Sequence, residues 1–146
     1  MSLFSNAIPF DKTQIEQGID LLEQKTSAEL RVYIEPRVQN APIFHRALQI
    51  FNALEMQQTQ LRNGVLIYIA YKDHQLAIIG DEGIHQFVGD AFWQQTHHMM
   101  VNEFKQNRYT KAVLLGIEQI GAELAKHFPI QADDINELPN EVIIHD

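Results

Sequence analysis

The stretch from Asn63 to Asp90 constrains this chain most. Val65-Leu66-Ile67-Tyr68-Ile69-Ala70-Tyr71 is apolar throughout and rich in β-branched and aromatic residues. A strand with one wet face alternates apolar and polar residues, so an unbroken apolar run reads as a strand covered on both faces. Asn63-Gly64 ahead of it is a turn signal, and Lys72-Asp73-His74 behind it is a short polar turn. Leu76-Ala77-Ile78-Ile79 then runs back as the antiparallel partner. The hairpin ends in an acidic loop set between two glycines, Gly80-Asp81-Glu82-Gly83.

Helical patterns supply the covers. Asp11 can cap a helix with Gln14 three residues on, and Ile15, Ile19 and Leu22 follow at helical spacing. Leu30, Val32 and Ile34 alternate with Arg31, Tyr33 and Glu35, which predicts a strand with one better-buried face that Pro36 stops. Pro42 suits the first turn of a second helix carrying Ile43, Ala47, Ile50, Phe51 and Leu54. Asp90 can cap a third, with Phe92, Trp93, Met99, Met100 and Phe104. A last helix carries Val113, Leu114, Ile117, Ile120 and Leu124. The expected fold is α/β: a three-layer α/β/α sandwich. Its small mixed sheet is the central hairpin plus one parallel strand, covered by helices on both faces.

The 146 residues, 45% hydrophobic and 21% charged, suit one globular domain. We expect it to span residues 1–128, with an acidic tail over 129–146. The formal net charge of −8 is uneven, because Asp133, Asp134, Glu137, Glu141 and Asp146 all follow the last lysine, Lys126. A mildly acidic body with an acidic tail argues against nucleic acid as a partner. No apolar run is long enough for membrane insertion, and the N-terminus does not read as a signal peptide, so the expected compartment is cytoplasmic. Val142-Ile143-Ile144 either docks as an extra strand or stays loose. With no cysteine, thiolate metal sites and cysteine nucleophiles are excluded.

Strand direction gives the acidic loop its interest. The first two strands, joined through a helix, should be parallel, and the next two, joined by a tight turn, antiparallel. That places Glu29, Asn63 and Asp81 on one edge of the sheet, with Glu82 and Asp90 close by and Thr26 as a further oxygen donor. Crowded carboxylates either protonate or share a cation, and this donor set suits Ca²⁺ or Mg²⁺. The plainer alternative is a solvated turn and a helix cap. The opposite edge gathers Glu35, Arg37, Tyr71, Lys72, Asp73 and His74, the end where open α/β sheets usually hold ligands. The adjacent His97 and His98 diverge on a helix, and no phosphate-binding loop or nucleophile elbow is present.

Several segments together are similar to the TPM-domain family. They are Thr26-Ser27-Ala28-Glu29-Leu30-Arg31-Val32, Arg62-Asn63-Gly64-Val65-Leu66-Ile67-Tyr68, Ile79-Gly80-Asp81-Glu82-Gly83-Ile84 and Val88-Gly89-Asp90. The resemblance covers about residues 10–128 and is nearest to the small stand-alone bacterial members. It implies an α/β/α sandwich, divalent-cation binding and, for at least one relative, acid phosphatase activity. Carried over by position, Asp81, Glu82 and Asp90 match the family's site region, and Glu29 and Asn63 match its flanking strand starts. The expectation is therefore a cation-binding domain and a weak metal-assisted phosphatase acting on a phosphorylated small molecule or protein partner. The alternative is a non-catalytic interaction module with a structural or incidental metal.

Overall fold

The computed structural model describes residues 8–38, 41–130 and 142–144. Helix α1 spans Lys12–Glu23. Its cap is the one the sequence predicts: Asp11 Oδ1 accepts the Gln14 N–H at 3.1 Å, and the Gln14 amide reaches back to Asp11 Oδ2 at 2.9 Å. Strand β1 spans Glu29–Glu35, helix α2 Ile43–Ala53, strand β2 Gly64–Ala70 and strand β3 Gln75–Gly80. Helix α3 spans Glu82–Lys105, helix α4 Tyr109–His127 and strand β4 Ile143–Ile144.

The sheet order is β3-β2-β1-β4. β1 and β2 are parallel, from Glu29 opposite Gly64 to Glu35 opposite Ala70. β2 and β3 are antiparallel, from Val65 opposite Gly80 to Ala70 opposite Gln75. Both pairings agree with the sequence reading. Val142-Ile143-Ile144 docks: β4 lies parallel to β1, and the buried Val142 donates its N–H to Glu16 Oε2. The tail acids Asp133, Asp134, Glu137, Glu141 and Asp146 lie outside the described residues.

Two cores make the sandwich. On one face Leu30, Val32, Val65 and Ile67 pack against α1, α3 and α4 through Ile15, Ile19, Ile84, Met100 and Ile117. On the other, Leu66, Tyr68, Ala77 and Ile79 pack under Ala47, Ile50 and Phe51 of α2. β2 is buried along its whole length, as its unbroken apolar run requires.

β1 departs from expectation, because its polar face is buried too. Glu29, Arg31 and Glu35 are 3%, 7% and 7% exposed. Burial this deep demands partners. Glu35 has them: Arg46 on α2 donates from Nε and Nη2 at 2.8 and 3.0 Å, and the Tyr68 hydroxyl donates to Glu35 Oε2.

A cation-filled corner at the sheet edge

The acidic segment is a helix start, not a loop. Asp81 is the N-cap of α3, its Oδ1 accepting the Glu82 N–H at 2.8 Å, and Glu82 is the first helical residue. The flanking glycines serve close approach rather than bending. A Cβ on Gly83 would stand 2.0 Å from the Leu61 carbonyl oxygen, and one on Gly80 would stand 2.3 Å from the Trp93 ring. Only glycine lets α3 begin against residues 61 and 62 and lets Trp93 lie on β3.

The preceding loop is fastened to this corner. Thr59 organises it, its carbonyl accepting the Arg62 N–H and its hydroxyl the Asn63 N–H. The Arg62 carbonyl accepts the Gly83 N–H at 2.7 Å, and the Gly64 carbonyl accepts the Asp81 N–H at 3.0 Å. Arg62 is held at φ +52°, in the left-handed region. That conformation turns its side chain onto the acids. Nε and Nη2 grip the two oxygens of Asp81 at 2.7 and 2.8 Å, and Nη1 lies 3.5 Å from Glu82 Oε1. The hydrogen bonds that Arg62 donates to Asp81 come first among the causes that raise its pKa, so the guanidinium stays charged.

The five expected ligands are distributed unevenly. Glu29, Asn63 and Asp81 do meet at one edge, as the register and the Asp81–Gly64 bond show. Glu29, however, faces the α2 layer, on the side of β1 opposite Leu30. Asn63 is 2% exposed, and its Oδ1 has no hydrogen-bond partner among the described residues. Glu82 is in the first turn of α3 with its side chain 74% exposed. Asp90 stands apart: the helical run from Glu82 to Val88, roughly 9 Å of rise, lies between it and the corner. Gly89 breaks the helix just before it at φ +72°, ψ 174°, and its 85% exposed carboxylate lies 3.7 Å from His85 Nε2. Thr26 is committed elsewhere, donating to the Leu124 and Phe128 carbonyls and accepting the Ala28 N–H. Among the described residues, no group of three or more His, Asp or Glu side chains lies close enough to share a metal ion.

Sequence reasoning passed over Arg62, the one residue that now fills the corner. Its signal was its position directly before the Asn63-Gly64 turn, where the chain reverses toward the acids.

Among the described residues, no helix is long and apolar enough to cross a membrane. The TPM-domain family model matches residues 3–123. The NMR structure of BA42 from the psychrophilic bacterium Bizionia argentinensis is similar at 38% identity and TM-score 0.88, over 99% of this chain and 100% of that one. The N-terminal domain of a P. gingivalis protein shares the fold at 16% identity and TM-score 0.67, over 88% of this chain and 83% of that one. The N-terminal domain of cg2496 from Corynebacterium glutamicum does so at 14% identity and TM-score 0.63, over 86% and 77%. No protein of curated function matches. With the family model spanning most of the chain and a structural relative matched from end to end, this protein belongs to the TPM-domain family.

Proposed function

We propose that the protein binds a divalent cation, Ca²⁺ or Mg²⁺, at the Asp81–Glu82 corner, and that Arg62 is the resident cation it displaces. The observation that carries this reading is the Arg62 guanidinium lodged between the two carboxylates. A second observation supports the fit: the Oδ1 of the buried Asn63, next to Arg62 in the chain, has no hydrogen-bond partner among the described residues. Carboxylate and amide oxygens are the donors that hard cations prefer. Glu29, facing the α2 layer, and Asp90, beyond the helix break, stand outside this core set.

The site is weak by construction. Two carboxylates and one amide oxygen leave most of the coordination to water, and the α3 N-terminus opposes positive charge. An affinity on the order of 10⁻³ M follows. A cation bound there would polarise a phosphoryl oxygen and acidify a water, which is what a phosphatase activity needs. The Asp81 carboxylate already accepts three hydrogen bonds, two from the Arg62 side chain and one from the Glu82 backbone N–H. That favours a ligand over a base, and binding without turnover over catalysis. An interaction module whose cation is structural is the second reading.

Titration with calcium and magnesium, followed through backbone amides, tests the proposal. Saturable shifts across Arg62–Asn63 and Gly80–Ile84 are expected, and unmoved resonances at millimolar metal would contradict it. Turnover of a simple phosphomonoester that Asp81→Asn abolishes with folding intact would move the reading to catalysis.

A further inference from the structure

At the opposite end of the sheet, beyond the carboxyl end of β2, lies a cavity of about 190 Å³. Ile69, Leu76 and Val101 give it apolar walls, and Tyr71, Phe104 and Tyr109 give it aromatic ones. The three rings are fixed in place by Phe10, which meets them edge-on at centroid distances of 6.1, 6.2 and 5.8 Å. The space is therefore framed by packed rings rather than by mobile side chains. A dry cavity of about 150 Å³ accommodates benzene, so this one fits a single ring with a short chain.

Three polar residues also line it, His74, Gln75 and Lys105, and of these only Lys105 carries a fixed positive charge. Although the protein is acidic overall, the carboxylates that flank these lining residues in the chain, Asp73 and Glu103, are both paired. Asp73 is taken up by Arg37 at 3.0 Å and by the Val38 N–H at 2.7 Å. Glu103 is taken up by Arg108 and Lys111 at 3.5 and 3.3 Å. Among the described residues, Lys105 enters no ion pair, so the mouth carries a cation that the neighbouring carboxylates do not neutralise. The end is also where β1 and β2, the parallel pair, finish, the usual ligand side of an open α/β sheet.

We propose that this cavity binds a small amphiphilic anion, one aromatic ring on a short chain ending in a carboxylate. The ring occupies the space between Tyr71, Phe104 and Tyr109, and the carboxylate meets Lys105. The site is separate from the Asp81 corner and does not depend on it.

The probe is 3-phenylpropionate, with 3-phenylpropan-1-ol as its neutral counterpart, titrated against the full-length ¹⁵N-labelled chain. The acid is expected to shift amides around residues 69–76 and 101–109 saturably, with millimolar affinity, as its small size dictates. Lys105→Gln should weaken the acid about tenfold, the loss of one charge-assisted hydrogen bond, and leave the alcohol unchanged. Val101→Phe, which fills the cavity, should abolish binding of both; if that variant does not fold, the mapping and Lys105→Gln decide. Shifts elsewhere, none at all, or an acid that binds no better than the alcohol and ignores Lys105→Gln would overturn the assignment.

Discussion

Arg62 and Asp81 form a two-pronged pair, Nε to Oδ2 at 2.7 Å and Nη2 to Oδ1 at 2.8 Å, across the seam between the β2 lead-in and the start of α3. Asp81 is buried and also caps α3, so one carboxylate joins a loop, a strand end and a helix. Asp81→Ala should cost about 1–2 kcal/mol in chemical denaturation, chiefly the lost cap, because the exposed Arg62 side of the pair is screened by solvent. Asp81→Asn keeps the cap and should cost less. Equal stability of the alanine variant and the wild type would remove Asp81 from this role.

Gly83 and Gly89 should respond to alanine for different reasons. At Gly83 the new Cβ meets a backbone carbonyl 2.0 Å away, which no side-chain rotation relieves. Overpacking of that kind should cost at least about 3 kcal/mol. At Gly89 nothing stands within 4 Å, but φ +72° with ψ 174° is a region that glycine alone visits. Strain there should cost about 1–3 kcal/mol and straighten or shift the break ahead of Asp90. Thermal melts of the two variants give the ranking. A larger loss at Gly89 would show that conformation, not contact, governs this helix.

The buried Glu35–Arg46–Tyr68 group should be a main polar support of the α2 layer. Breaking a fully buried pair costs roughly 3–5 kcal/mol. The Arg46 side chain is 29% exposed, so Arg46→Ala should fall lower, at about 2–3 kcal/mol. Denaturant midpoints at unchanged slope would check it, and a loss within about 0.5 kcal/mol would mean that Tyr68 alone satisfies Glu35.

The same group sets an alkaline limit. Burial, then the hydrogen bond to Glu35, raises the Tyr68 pKa above its ordinary value of 10.0. The folded state thus keeps its proton at pH values where the unfolded chain has released it. Stability linked to Tyr68 is complete below about pH 10 and declines as pH rises from there toward the folded value. Tyr68→Phe should lose about 1 kcal/mol at neutral pH and show a shallower alkaline loss. Tyr33, raised by burial and then by Glu35, contributes in the same direction. Denaturation series from pH 8 to 11 on both proteins would show it, and parallel curves would exclude Tyr68 as the titrating group.

Periodicity carried most of the architecture into the sequence. The run from Val65 to Ala70 announced a doubly covered strand, and connection lengths were enough to orient β1, β2 and β3 and so to bring Glu29, Asn63 and Asp81 to one edge. Local composition misled where tertiary contact overrode it. Arg31, Tyr33 and Glu35 alternate like a solvated face, yet Arg46 arrives from α2 to satisfy Glu35 there. Gly80 and Gly83 read as a loop because glycine signals a bend and close approach with the same letter. Asp90 seemed near Asp81 because the helical segment from Glu82 to Val88 that separates them was not legible through those glycines. Arg62 left no periodic trace, since its role depends on a backbone conformation.

The proposed exchange of Arg62 for a metal ion makes an unusual demand: removing the arginine should strengthen metal binding. The decisive measurement is calcium affinity by amide-detected titration for the wild type, Arg62→Ala and Asp81→Asn. Binding roughly fivefold to tenfold tighter is expected for Arg62→Ala, because the competing cation is gone, and no saturable binding for Asp81→Asn. Wild-type affinity in all three proteins, or weaker binding in Arg62→Ala with the fold intact, would contradict it.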